Sequence, residues 1–243
     1  MLYGMYTSGN GMRVQMRRQE VISNNLANTN TAGFKRNLFN VQEMGSENEG
    51  LGRMGSSRNE TLDKFGGPQI HSTRVSFEQG NMESTDNELD LAIDGEGFFK
   101  LKNPTTGEFS YTRSGHFSMN KDGQLVGADS GHLVMDQRDT PIVMSELQGS
   151  ASDAVKVVSF SDLGTLQKQE GTMFKLNKNE SGQLPTELPV TSKVYSGFLE
   201  NSNTNPINEM VQMIEAHRAY QANASNLKQQ DENLGSLISI ARS

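Results

Sequence analysis

The chain has 243 residues, a mass of 26.7 kDa and a net charge of −7, with 33% hydrophobic residues, no Trp and no Cys. Its length permits one large or two small domains, but so sparse an apolar content implies that part of it orders only against a partner. The acidic balance argues against general nucleic-acid binding, and the lack of Cys excludes disulfides, thiolate metal sites and a cysteine nucleophile.

No run of about 18 apolar residues exists, so no membrane-spanning helix and no membrane insertion are expected. The opening MLYGMYTSGNGMRVQMRRQ has no basic start leading into an apolar stretch, so a cleaved signal peptide is not expected either. Residues 2–26 contain no Pro and read as a helix. Met5, Met12, Gln19 and Leu26 recur at seven-residue steps, with Ile22 near the same face. Gly4, Gly9 and Gly11 weaken its start. The Asn-rich turn formers of 24–33 then end it. Residues 1–36 carry Arg13, Arg17, Arg18, Lys35 and Arg36 against Glu20, a mildly basic start.

Residues 37–75 read as an extended or flexible connector, rich in Gly, Ser, Asn and Glu. Strand-like runs follow at 73–77, 89–93, 98–102, 109–112, 124–126, 132–135, 155–160, 173–177 and 193–198. Turn signals separate them at Asp94 and Gly95, Thr106 and Gly107, Asp122 and Gly123, and Ser181 and Gly182. This spacing suits antiparallel β structure. No helical period of useful length appears between 73 and 199.

Asn205 and Pro206 make a cap followed by a helix-starting Pro, and no further Pro appears. Met213, Tyr220, Leu227, Leu234 and Ala241 fall at seven-residue steps, offset from Ala216, Asn223, Gln230 and Leu237. That is an a/d seam over about four heptads, interrupted by two amides. So long a helix must lie against something, and the N-terminal helix is the nearest candidate. The fold class is therefore mixed α and β: a discontinuous, coiled-coil-like helical domain from 1–36 and 200–243, a connector at 37–75, and an antiparallel β-rich domain at 76–199.

Catalytic patterns are absent. Asp94, Gly95, Glu96 and Gly97 lack the third glycine of a dinucleotide loop and read as a hairpin turn. There is no P-loop and no GxSxG elbow, and His71, His116, His132 and His217 show no helical metal-ligand spacing. The sequence reads as a structural protein, not an enzyme, with no cofactor and no metal.

Four segments are recognisable. NNLANTNTAGFKR at 24–36 closely resembles the signature of the axial rod and hook proteins of the bacterial flagellum. The likeness continues in LDLAIDGEGFFKL (89–101), YTRSGHFSMNKDGQLV (111–126) and GFLENSNTNPINEMVQMIEAHRAYQANA (197–224), in family order. The resemblance implies a structural subunit of the basal-body rod that polymerises into a hollow, torque-transmitting shaft around the export channel. Its two terminal segments would form the tube and its β domain would lie outside. Partners would be copies of itself, neighbouring axial proteins and the flagellar export apparatus, which would carry it to the basal body without a signal peptide. The opening MLYGMYTSGNGM and the short 37–75 segment favour the proximal rod position, with the distal position as the alternative. Pro206 departs from the aliphatic residue more usual in relatives. From another class, a secreted β-rich adhesin or carbohydrate-binding module would explain the polar middle but not the helical ends.

The residues expected to carry assembly and helix packing are Met5, Met12, Ile22, Leu26, Met213, Ala216, Tyr220, Leu227, Leu234 and Leu237. Asn24, Asn25, Asn28, Gly33 and Phe34 are expected to shape the turn leaving the first helix, with Phe34 anchored by burial.

Overall fold

The computed structural model describes residues 2–43, 68–146, 151–169, 171–177, 187–189 and 192–242. The expected turn at Ser181 and Gly182 lies outside them. In chain order the elements are α1 (Leu2–Ala27), β1 (Asn37–Glu43), β2 (Pro68–Val75), β3 (Met82–Ser84), β4 (Leu91–Asp94), β5 (Phe98–Lys102), β6 (Phe109–Thr112), β7 (Phe117–Met119), β8 (Leu125–Gly127), β9 (Leu133–Val134), α2 (Ala151–Ala154), β10 (Val157–Phe160), β11 (Leu166–Lys168), β12 (Met173–Leu176), β13 (Glu187–Pro189), β14 (Lys193–Ser196), β15 (Phe198–Glu200) and α3 (Pro206–Arg242). The arrangement is mixed: a helix, an antiparallel β-rich middle and a second helix, grouped into two compact units.

The helical unit contains α1, α3 and the antiparallel β1–β2 ribbon, which carries a register shift between Asn40 and Val41. The ribbon occupies both ends of the segment read as a connector. Asn205 starts α3 as expected: its side-chain oxygen accepts from the backbone N–H of Ile207 at 3.0 Å and of Asn208 at 3.3 Å. Pro206 then takes the first helical position, where its missing N–H costs nothing.

The β unit comprises 28–36 and 76–204. Its main sheet runs β11-β12-β6-β5-β9-β8-β7, and β5 also pairs β10, which in turn pairs β13. Side chains alternate across β5. Phe99 and Leu101 enter a core with Leu91, Ile93, Phe117, Leu125, Val134 and Ile142. Phe98, on the other face, meets Phe77 at 5.5 Å and Phe174 at 5.8 Å between ring centres, both edge-to-face. Smaller pairs β14–β4 and β15–β3 complete the unit.

Thr106–Gly107 and Asp122–Gly123 lie in the antiparallel connections β5–β6 and β7–β8. Asp94–Gly97 is not a hairpin, because β4 pairs β14 while β5 pairs β6, β9 and β10. It is a bend carrying the chain from one sheet to another.

Candidate functional site

Within the helical unit α1 and α3 run antiparallel. Gly4 faces Gln230, Gly11 faces Asn223 and Asn25 reaches Glu209, so each step along α1 is matched by an equal step back along α3. On α3, Glu209, Met213, Ala216, Tyr220, Asn223, Leu227, Gln230 and Leu234 are turned from solvent at steps alternating by four and three, with Gln212, Ala219 and Ala224 half-buried beside them. Ala216 is fully buried and Leu227 and Leu234 half-buried, while Leu237 is exposed. On α1, Ile22 is buried and Met5, Met12 and Leu26 are half-buried. Val14 and Val21 are also buried, seven residues apart, a pair hidden in the sequence behind the more regular Met5 series.

The two amides that interrupt the heptads occupy the space left by two glycines. A Cβ on Gly11 would lie 2.9 Å from the Asn223 amide nitrogen, and one on Gly4 would lie 2.7 Å from that of Gln230. Gly9, between them, meets nothing within 4 Å. The glycines read as weaknesses are thus, at two of three positions, sites of close helix approach.

The first motif closes the end of this pair. Asn25, buried, exchanges two hydrogen bonds with the backbone of Asn37, both at 2.9 Å, and donates to the Glu209 carboxylate at 3.3 Å. Asn24 accepts from the Asn37 side chain at 3.1 Å. Asn25 therefore splints the start of β1 to both helices.

The rest of that motif belongs to the β unit. Asn28 accepts from Thr31, and the Gly33 N–H donates to the Glu200 carbonyl at 2.7 Å. Gly33 has φ +67°, and a Cβ there would fall 2.2 Å from the Ser114 backbone nitrogen. Phe34 is buried, with the Lys168 ammonium 3.7 Å above its ring centre. Burial outweighs that attraction and pushes the Lys168 amine down to about 8.

Next to Phe34 all four recognisable segments meet at one buried ionic node. Lys35 (2% exposed) pairs with Glu200 (1%) at 2.7 Å, and Arg113 donates to the other Glu200 oxygen at 2.5 Å. Arg113 also donates to the carbonyls of Ile93, Gly95 and Gly97 in the bend before β5. Lys35 donates to the Glu78 carbonyl at 2.6 Å, and Glu200 accepts from the Gly80 N–H at 2.8 Å. Burial, reinforced by the Arg113 charge, holds the Lys35 ammonium below its ordinary value despite the Glu200 carboxylate. Two cations around one carboxylate, held further by backbone carbonyls and the Gly80 N–H, make a fastener rather than a reactive centre. Sequence reasoning did not single out Lys35, Arg113 or Glu200 for this role. The available signal was a charged residue set among aromatic and Gly residues in GFKR, YTRSG and GFLEN.

Among the described residues no group of three His, Asp or Glu is placed to hold a metal ion, and no helix is long and apolar enough to cross a membrane. The helical unit thus carries a packing seam and the β unit a charged lock, both of them devices of a structural protein.

Comparison with known proteins gives that class a lineage. Residues 5–35 match the family model described as flagella basal body rod protein, 92–168 the flagellar hook protein FlgE/F/G D1 domain, and 195–240 the flagellar basal body rod FlgEFG protein C-terminal model. The chain is 30% identical to the flagellar basal-body rod protein FlgG of Buchnera aphidicola subsp. Schizaphis graminum, over 99% of this chain and all of that protein. It is 29% identical to FlgG of Bacillus subtilis over the whole of both, and 31% identical to the rod protein FlgF of Caulobacter vibrioides over 88% of each. These matches define an axial protein of the rod and hook type. The chain belongs to the flagellar basal-body rod protein family: it is a structural, non-enzymatic subunit of the flagellar basal body. A secreted adhesin is not favoured.

Proposed function

We propose that this subunit polymerises, with copies of itself and with neighbouring axial proteins, into a hollow shaft that transmits torque and encloses the export channel. The helical unit, with α1 and α3, forms the tube wall through coiled-coil-like packing, and the β unit, with 28–36 and 76–204, lies outside it. The flagellar export apparatus delivers the chain, and its place is the proximal part of the rod, as the opening MLYGMYTSGNGM favours. The observation that carries the reading is α3 itself. One face is spaced four and three against α1, while another leaves Ile207, Met210, Val211 and Ile214 exposed. A face of that size needs a neighbour.

The test is deletion of the gene followed by purification of basal bodies. The expected strain is non-motile, with basal bodies stopping short of a complete rod, and the restored chain reappears in purified rods and rescues swimming. A deletion strain that swims on complete basal bodies would overturn the reading. Antibody labelling of the rod's membrane-proximal end, against its distal end, decides the position.

A further inference from the structure

Within one chain α1 and α3 are paired in a single register, and the layers of that pairing are not alike. Gly4 lies against Gln230, Gly11 against Asn223, and Asn25 against Glu209. Seven residues on from Gly11 and seven back from Asn223, the same register brings Arg18 opposite Ala216. Between these layers Val21 comes opposite Met213, Val14 opposite Tyr220 and Thr7 opposite Leu227.

In every other layer α1 gives the smaller residue and α3 the larger. Arg18 and Ala216 invert that order, a long side chain on α1 facing the smallest residue on the α3 seam. Ala216 is 0% exposed. Arg18 is half-buried, as an arginine is when its stem lies along a neighbouring helix and its head reaches water. The Val and Thr layers do not distinguish one register from another. With α3 moved by a heptad, Val21 would face Tyr220, Val14 would face Leu227 and Thr7 would face Leu234, again small against large. The same shift would crowd Arg18 onto Asn223, and the opposite shift would set Gly11 against Ala216 and leave a hole. Crowding and holes are both destabilising in a packed seam.

We infer that the inverted Arg18–Ala216 layer is the key that fixes the register of α3 against α1 in this chain. A heptad shift would displace α3 by about 10.5 Å, so the key also fixes how much of α3 extends beyond the pair. The polar layers serve the same end at a cost in stability. The Gln230 amide oxygen is buried against Gly4 and has no hydrogen-bond partner among the described residues. The register is a property of the single chain and holds whether or not the chain polymerises.

The lack of cysteine allows a direct test. Arg13→Cys and Asp231→Cys, both at exposed positions, carry spin labels on the purified full chain. Arg13 lies level with Gln221, so the labelled positions start about 15 Å apart along the helix axes. Exchanging two residues of α3, Ala216→Asn with Asn223→Ala, leaves the composition unchanged and moves the small residue one heptad along. Arg18 then finds it only if α3 shifts by that heptad, which brings the labels to an axial offset of about 4.5 Å. The start of α3, where Ile207, Met210 and Val211 are exposed, unwinds to take up the shift. Pulsed electron double resonance, with unlabelled chain added to remove pairs between molecules, reads the separation. The expected result is one distance in the parent and a shorter one in the exchanged variant. An exchanged variant that keeps the parental distance overturns the inference. If that variant loses its helical signal at 222 nm, Arg18→Ala decides. Without the long side chain a second, shorter distance should appear beside the parental one, and a single parental distance overturns the key.

Discussion

Glu200 is the residue on which the β unit's charged lock depends, since it is the carboxylate that pairs both Lys35 and Arg113. Glu200→Gln keeps the shape and the bond from the Gly80 N–H but leaves two buried cations with no counter-charge. Breaking a buried pair in this way costs about 3–5 kcal/mol. Lys35→Met instead leaves one cation with one carboxylate, and the Glu78 carbonyl keeps its bond from the Asn203 amide at 3.0 Å, so the loss is smaller, about 1–3 kcal/mol. Urea unfolding followed by near-ultraviolet circular dichroism, to which the packed aromatic rings of the β unit contribute, should therefore rank Glu200→Gln well below Lys35→Met. The double variant should be less destabilised than the sum of the two, because removing Lys35 relieves a cation that Glu200→Gln stranded. Strict additivity would mean that the three charges do not act as one group.

At the scale of elements, the α1–α3 pair turns on glycines that look alike in sequence and differ in place. An alanine in a helix is worth about 0.5–1 kcal/mol over glycine. Gly9→Ala should realise that gain, since nothing lies within 4 Å of the new Cβ. Gly11→Ala should not, because Asn223 must first move away, and Asn223→Ala should restore the gain in the double variant. Thermal melts of the four chains by circular dichroism at 222 nm test this; equal gains at Gly9 and Gly11 would place α3 elsewhere. The helices themselves were legible in the sequence, α3 from its 3.5-residue apolar period and its Asn205–Pro206 start, α1 from its Pro-free run. β5 and β6 were legible to the residue, because Phe-rich and Tyr-containing runs end at turn formers. Strands β3, β7, β11 and β13 were not, since three residues such as Met82–Ser84 carry no period and are held by backbone pairing to distant partners. The ionic node was hidden for the same reason: Lys35, Arg113 and Glu200 are far apart in sequence, and no local pattern announces that three charges will be buried together.

For the whole molecule, stability is distributed unevenly between units of different construction. The β unit has an interleaved core and a buried lock, whereas the helical unit relies on a narrow seam that admits two amides and two glycines. Local opening is easiest where few apolar contacts must break. In dilute chain, amides of β5 and β6 should exchange with solvent only on global unfolding, while those beyond Leu234 in α3 should exchange within seconds to minutes. Assembly should change only the second class: packing of exposed Leu237 and Ile238, and of Ile207, Met210 and Ile214, against neighbouring subunits would slow exchange over 234–242 and 207–221 in intact rods. Hydrogen exchange read by mass spectrometry on monomer and on purified rods separates these regions peptide by peptide. Paired slowing at both ends of α3 is the expected signature. Protection of the tail in the dilute chain equal to that of β5 would mean that α3 is held by its own molecule throughout, and assembly would then have to use another surface.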